Sequence, residues 1–410
     1  MPTVVLLGTL DTKGLEYAYL ADRVRDHDVE VLLVDAGIVG EPLAEPDVTR
    51  QEVAAAVGAD VRSLAAAGDR GAAVATMARG AAEIVLRLHG EGRLDAIGGL
   101  GGSGGSSLVT HAMRRLPVGV PKLMVSTVAS GDTRPYVGAV DVTMMYSVVD
   151  ISGINQISAR ILANAAGALA GMARAVVPPL GAERPLVVAS MFGVTTPAVT
   201  AARERLEELG YEVLVFHQTG AGGGSMEELI KAGYIAGSLD VTTTEFCDSL
   251  VGGVFPAVED RLESAGARGV PQVVSLGALD MVNFGAMESV PERFRDRTLY
   301  VHNPTVTLMR TTPQECAELG RLIARKLNAA SGPTALFVPL RGVSAIAVEG
   351  QVFHDPAADE ALFAALREEV DASKVEVHEL DADVNDPVFA RAMADRLHEL
   401  VSARERNPGV

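Results

Sequence analysis

Short runs of Val, Leu and Ile alternate along most of the chain with longer stretches whose apolar residues recur every three or four positions. The short runs predict strands at Val4–Leu7, Val29–Val34, Asp95–Gly98, Lys122–Ser126 and Val140–Tyr146. The longer stretches predict helices at Gly14–Arg25, from about Gln51, and at Ala72–Leu88, Ser106–Arg115 and Asn155–Ala175. Strands that are apolar on both faces and alternate with helices indicate parallel sheets covered on each side. The run VVPPLGAERP then breaks the pattern and predicts a boundary between a domain at 1–178 and a second at 185–410. The alternation restarts at once: PLVVASMFGVTTPAVTAARERLEELGYEVLVFHQTG reads as strand, turn, helix, strand. Further strands are predicted at Val273–Leu276, Leu299–Val301, Ala335–Pro339 and Val375–Glu379, and helices at Gln314–Asn328, Glu360–Val370 and Pro387–Ala403. The expected fold is α/β: two tandem doubly wound, Rossmann-like domains with mainly parallel sheets and a cleft between them.

Composition narrows the partners. With 48% hydrophobic and 21% charged residues over 410 positions, the chain is a folded one and long enough for two cores. Its net charge of −18 argues against nucleic acid or an anionic membrane as partner. An anionic small molecule would need glycine backbone or a few placed Lys and Arg residues to offset that field. The two cysteines, Cys247 and Cys316, form no paired motif, and the N-terminal stretch lacks the pattern of a signal peptide. A cytoplasmic location is therefore expected. No apolar run is predicted to span a membrane, because the longest, Ile161–Val177, contains Asn164 and Arg174 and reads as a buried helix.

Ligands of doubly wound sheets bind beyond the carboxyl ends of strands. The densest signal at such a position is AIGGLGGSGGSSLVTHAM, in which Gly101, Gly102, Ser103, Gly104, Gly105, Ser106 and Ser107 run from a strand into a helix. Glycines admit a close backbone approach, and successive N–H groups at a helix start attract anions. The run matches neither the GxxxxGK[ST] pattern nor a GxGxxG with its following carboxylate. A second candidate turn, LLGTLDTKGLE, offers Gly8, Thr9, Asp11, Thr12 and Lys13, with Lys13 for phosphate and Asp11 for Mg²⁺ or a sugar hydroxyl. The same residues also suit an ordinary N-cap. Asp132, Asp141 and Asp150 are further carboxylates able to hold a metal or act as base. In the second domain, Thr195 and Thr196 precede a proline at a helix start, as an anion site or a cap would. FHQTGAGGGSMEELI brings His217, Gly220, Gly222 and Gly223, a second anion cradle with a candidate general base. Glu245, Asp280 and Asn283 are candidate substrate contacts, and Arg310 and Arg341 candidate carboxylate clamps. His217 and His302 lie far apart in the chain without a metal-binding spacing, and Ser344 is not in a GxSxG turn.

Taken together, GTLDTKGLE, GGLGGSGGSS, MVSTVASGDTRPYVG, DVTMMYSVVDISGIN, MFGVTTPAV, DVTTTE, ALDMVNFG and HNPTVTLMRTT resemble an uncharacterised bacterial and fungal protein family. That family shares the ATP-binding region of the tomato protein that confers resistance to tomato mosaic virus. The resemblance runs from Val4 to about Ala394. It implies a two-domain α/β protein that binds ATP with Mg²⁺ on the two glycine-bearing turns of the first domain and forms a homodimer. A separate barrel-domain protein is an expected partner, since the tomato protein carries such a domain after this region. The function expected is that of an ATP- and Mg²⁺-dependent enzyme acting by phosphoryl transfer or carboxylate activation on a small polar or carboxylate metabolite in the interdomain cleft. Asp11 or Asp132 would hold the metal, and Arg310 or Arg341 the substrate. The alternative is a nucleotide-responsive regulatory protein without turnover.

Overall fold

In the computed structural model, which describes residues 1–177 and 184–406, the apolar runs become strands of two parallel sheets, one in each of the units Met1–Pro179 and Leu180–Val410. Residues 178–183, where the boundary is expected, lie outside the described residues. The first unit runs β1 (Thr3–Gly8), α1 (Leu10–Arg25), β2 (Glu30–Asp35), α2 (Arg50–Ala55), α3 (Val61–Ala67), α4 (Arg70–Gly90), β3 (Ala96–Gly101), α5 (Ser103–Met113), β4 (Lys122–Ser126), α6 (Arg134–Val137), β5 (Thr143–Tyr146) and α7 (Gln156–Ala173). The strands are ordered β2-β1-β3-β4-β5 and all pair in parallel. One core on this sheet holds Met77, Ile84 and Leu88 of α4 with Leu108 and Met113 of α5. The other holds Leu10, Tyr17 and Leu20 of α1 with Leu162 and Leu169 of α7. The apolar stretch beginning at Ile161 is thus a helix packed on a sheet. Among the described residues no helix is long and apolar enough to cross a membrane.

The glycines of β3 serve this packing. A Cβ on Gly98 would come within 2.6 Å of Leu169, and one on Gly99 within 2.5 Å of Val109, so α7 and α5 approach the strand more closely than any side chain there would allow. The expected long glycine loop is replaced by a direct junction. β3 extends to Gly101 and α5 opens at Ser103, with Gly102 alone between them.

The second unit runs β6 (Leu186–Met191), α8 (Thr196–Glu208), β7 (Glu212–His217), α9 (Ala221–Lys231), β8 (Ile235–Thr242), α10 (Glu245–Val251), α11 (Ser264–Ala267), β9 (Gln272–Gly277), β10 (Met281–Phe284), β11 (Leu299–Asn303), β12 (Val306–Arg310), α12 (Pro313–Asn328), β13 (Thr334–Pro339), α13 (Pro356–Glu369), β14 (Val375–Leu380) and α14 (Pro387–Arg406). Six of its strands form a parallel sheet in the order β14-β13-β9-β8-β6-β7. Two features differ from the sequence expectation. The run Leu299–Val301 is a strand, but it belongs to a separate antiparallel sheet ordered β10-β12-β11. The inner strand β8 carries Gly237, Ser238 and Asp240 and so lacks an apolar run. It is accommodated because Leu397 and Val401 of α14 fill the space above Gly237, and because Asp240 finds a buried cationic partner.

Candidate functional site

Within each unit the second strand lies to one side of the first and the third to the other, so the winding reverses between β1 and β3 and again between β6 and β8. A crevice opens at such a reversal, beyond the strand ends. In the first unit it holds a cavity of about 670 Å³ lined by both glycine-bearing turns: Thr9, Asp11, Thr12 and Lys13 after β1, and Gly101, Gly102, Ser103, Gly104 and Gly105 after β3. Ile38, Val39, Leu64, Val74 and Leu108 give it apolar walls, and Arg70 and Asp150 add charge.

The glycines at this junction have an unusual freedom. Gly102 has a φ of −80°, and neither Gly104 nor Gly105 has a positive φ, so left-handed backbone does not account for them. A Cβ would meet nothing closer than 3.6 Å at Gly102, 3.8 Å at Gly104 and 3.5 Å at Gly105. Only Gly101 is needed by the fold, because a Cβ there would stand 3.0 Å from the Gly105 Cα. Glycine in a helical turn costs up to about 1 kcal/mol relative to alanine, and here nothing inside the protein accounts for it. Gly102 in the N-cap position offers no side-chain cap, so the amides of Ser103, Gly104 and Gly105 begin α5 without an acceptor among the described residues.

The facing turn is more constrained. Gly8 is required by Tyr17, whose hydroxyl lies 2.0 Å from where a Cβ would be. That buried hydroxyl donates to the Leu7 carbonyl at 2.5 Å and accepts from the Leu100 amide at 2.9 Å, so it ties β1 to β3 just below the crevice. Burial raises its pKa. The start of α1 is partly occupied, since the Leu10 amide donates to the buried Asp35 at 3.0 Å. Asp11 is not an open metal ligand. Its Oδ2 accepts from the amides of Ile38, Val39 and Gly40 at 3.0, 2.9 and 3.3 Å, and its Oδ1 is buried without a partner. It holds the loop after β2 instead. Thr9 and Thr12 share a hydroxyl–hydroxyl bond of 2.8 Å, and Lys13 Nζ donates to the Ile151 carbonyl. Ser106 is buried against Ser126 at 2.6 Å, and neither it nor the exposed Ser107 lines the cavity. Arg70, which sequence reasoning passed over, opens α4 beside Gly104 and has no ion-pair or hydrogen-bond partner among the described residues.

Other expected contacts are engaged elsewhere. Asp132 is exposed, accepts from Arg134 at 2.9 and 2.8 Å, and lies off the cavity; the guanidinium holds its pKa down to about 2. In the second unit Arg261 is fully buried among Glu227, Asp240 and Glu245, with its Nε 2.7 Å from Glu245. Glu245 also accepts from the Gly220 amide at 2.8 Å, so it is a framework residue rather than a substrate contact. The glycines beside it are demanded by the protein itself. Gly220 has a φ of +76°, a Cβ on Gly222 would lie 1.9 Å from the His217 carbonyl oxygen, and one on Gly223 would lie 2.5 Å from Glu245. The second glycine run is therefore a packing device and not an open cradle.

Thr195 is buried and bonds Thr242 at 2.7 Å, while Thr196 donates back to the Phe192 carbonyl at 3.3 Å. Asn283 is buried and donates to Asp248 from both its backbone and its side-chain nitrogens, at 2.7 and 3.1 Å. Asp280 is buried, accepts from Ser344 at 2.7 Å, and is pushed up to about 6 by burial. Arg310 is buried and reaches Asp359 at 2.6 Å, whereas Arg341 is exposed and forks onto Asp381 at 2.6 Å through two nitrogens. Neither arginine is a free carboxylate clamp. His217 stays exposed at the end of β7 with its ring stacked on Phe192 at 5.2 Å.

Comparison with known proteins agrees with the division of the chain. Residues 2–178 match the N-terminal domain of an uncharacterised protein family (UPF0261), and residues 184–401 match its C-terminal domain. A UPF0261 protein of Clostridium tetani is 55% identical over 96% of this chain and 98% of its own length. One from Rhizobium meliloti is 48% identical over 96% of this chain and 97% of its own. The tomato (Solanum lycopersicum) ToMV susceptible protein tm-1 is 39% identical over 97% of this chain, which spans 56% of the tomato protein. Among solved structures, MurG of Acinetobacter baumannii aligns over 98% of this chain and 93% of its own with a TM-score of 0.22 and 13% identity.

Proposed function

We propose that this chain, which belongs to the uncharacterised protein family UPF0261, binds ATP in the crevice of its first unit and uses it on a small polar or carboxylate metabolite. The observation that carries this reading is the start of α5: three uncapped amides on a turn whose glycines no internal contact demands, facing Lys13 and Arg70. Such a turn lets phosphate oxygens reach backbone N–H groups, with positive side chains on either side. The apolar wall formed by Ile38, Val39, Leu64 and Val74 suits a base. Resemblance to a family with an ATP-binding region supports the choice of nucleotide.

Mg²⁺ would enter with the phosphates. Among the described residues no group of three or more His, Cys, Asp or Glu gathers to hold an ion, and Mg²⁺ is commonly held by one or two carboxylates plus phosphate oxygens. Besides Asp11, the cavity is lined by Asp150, which accepts from the Ile151 amide, and Asp69, which caps α4; these two are the carboxylates available for that task. Bound there, the ion would neutralise phosphate charge, while the α5 amides and Lys13 orient the phosphate chain. One observation favours the second reading, ATP held without turnover: Asp132, Arg310 and Arg341 are all tied up in ion pairs.

Calorimetric titration with ATP and Mg²⁺ tests the proposal, repeated on Gly104→Val. Saturable binding that falls at least tenfold in the folded variant supports it, and absence of binding by the natural protein refutes it. Release of ADP or phosphate on adding candidate carboxylates then separates enzyme from sensor.

A further inference from the structure

The second unit has its own crevice, and two histidines line a pocket in it. At the carboxyl ends of β6 and β7 a pocket of about 170 Å³ lies beside the winding reversal of the six-stranded sheet. His217 and Thr219 come to it from the end of β7, Phe192 from the end of β6, and His302 and Asn303 from the β11–β12 hairpin, 85 residues further along the chain than His217. No spacing in the sequence joins the two histidines. The antiparallel sheet, which the sequence did not announce, brings them together.

The lining is selective in what it leaves out. Phe192 and Phe255 give aromatic walls, and among the described residues no Asp, Glu, Lys or Arg lines the pocket. Neither imidazole has a hydrogen-bond or ion-pair partner among the described residues; His217 is held only by its stack on Phe192. Its backbone is fixed from behind by Gly222, which lets α9 press against the His217 carbonyl. In a chain with a net charge of −18, a pocket free of carboxylates is a place where an anion meets little repulsion. Two imidazoles supply N–H donors whether neutral or charged. A dianionic phosphate asks for more compensating charge than two imidazoles supply, a carboxylate carries only one charge, and a cation asks for a carboxylate, which is absent from the described lining.

We propose that this pocket binds a small monocarboxylate with a flat apolar body, its carboxylate received by His217 and His302 and its body held between Phe192 and Phe255. The site goes beyond the nucleotide reading and stands without it, because no residue of the first unit takes part.

Benzoate is the probe, with benzamide as its neutral counterpart, added to the full-length protein without nucleotide. Binding is followed by the imidazole ¹⁵N signals and by calorimetry. The expected result is saturable benzoate binding that moves both imidazole signals, with benzamide at least tenfold weaker. In His302→Ala the affinity should fall at least tenfold. His302 is exposed on a strand at the sheet edge, so its melting temperature should hold, and His302→Gln, which restores a donor, should recover part of the loss. Absence of saturation, equal binding of benzamide, or unchanged affinity in His302→Ala would each overturn the proposal. Since ATP is left out, failure here leaves the nucleotide reading untouched, and success does not depend on it.

Discussion

Two cationic side chains line the first unit's crevice, and they are held differently. Lys13 reaches across to the Ile151 carbonyl, so its ammonium has two remaining donors and a structural task. Arg70 has no partner among the described residues and is exposed beside Gly104. Removing Arg70 should therefore act on the ligand alone. Arg70→Ala is expected to weaken ATP binding by about 1–3 kcal/mol, the range of a charge-assisted contact, with an unchanged melting temperature. Lys13→Ala should weaken ATP binding too and also lower the melting temperature; calorimetry beside a thermal melt separates the two. Asp280 makes a prediction of a different kind. Its carboxyl is fully buried, has one oxygen without a partner, and is lifted to about 6 from 3.8. Between those values the folded state binds more protons than the unfolded state, so this group's contribution to stability is complete below pH 3.8 and lost as the pH rises through 6. The gap corresponds to on the order of 3 kcal/mol. Asp280→Asn should flatten the fall in denaturant stability measured from pH 4.5 to 7, and an unaltered slope would assign it to other groups such as Asp248, which is also lifted to about 6.

At the scale of elements, two glycine runs that look alike in sequence do opposite work. At Gly222 the helix α9 crosses the end of β7 so closely that a methyl would fall 1.9 Å from a carbonyl oxygen. At Gly104 the helix α5 starts beside open space, with 3.8 Å to the nearest atom. Gly222→Ala is therefore expected to destabilise by about 1–3 kcal/mol or more through overpacking. Gly104→Ala should leave stability unchanged or raise it by up to about 1 kcal/mol while weakening ATP binding. Parallel denaturation curves with an ATP titration check both. Composition shows that glycines are there, but what lies opposite each one is set by residues far away in sequence: Tyr17 over Gly8, Leu169 over Gly98, and Glu245 over Gly223. For the same reason the Val/Leu runs of β1, β9 and β13 were legible as strands, whereas β8 was not. Its Asp240 is tolerable only because Arg261 lies 2.5 Å away, and that pairing has no local signature.

On the scale of the whole chain, the alternation of strand and helix was enough to indicate two doubly wound sheets, because burial on both faces imposes an apolar run on most inner strands, β8 being the exception. The inserted antiparallel sheet was not legible. β10 and β12 are short, and β10 pairs with β12 past the intervening β11, a pairing that no local run of hydrophobics marks. The crevices were predictable as places but not in their contents, and four of the candidates found engaged elsewhere share a cause. Asp280, Asn283, Glu245 and Arg310 are polar residues near strand ends that the second unit's own core absorbs. The first unit's crevice, by contrast, draws every residue of its lining from positions 9 to 150 and rests on its own two cores. That containment makes a prediction about the chain as a whole. Residues 1–177 produced alone should fold and bind ATP within about twofold of the full-length affinity, measured by calorimetry under the same conditions. A tenfold loss in a fragment whose melting curve remains cooperative would mean that the second unit completes the nucleotide site, and the glycine argument would then describe only half of it.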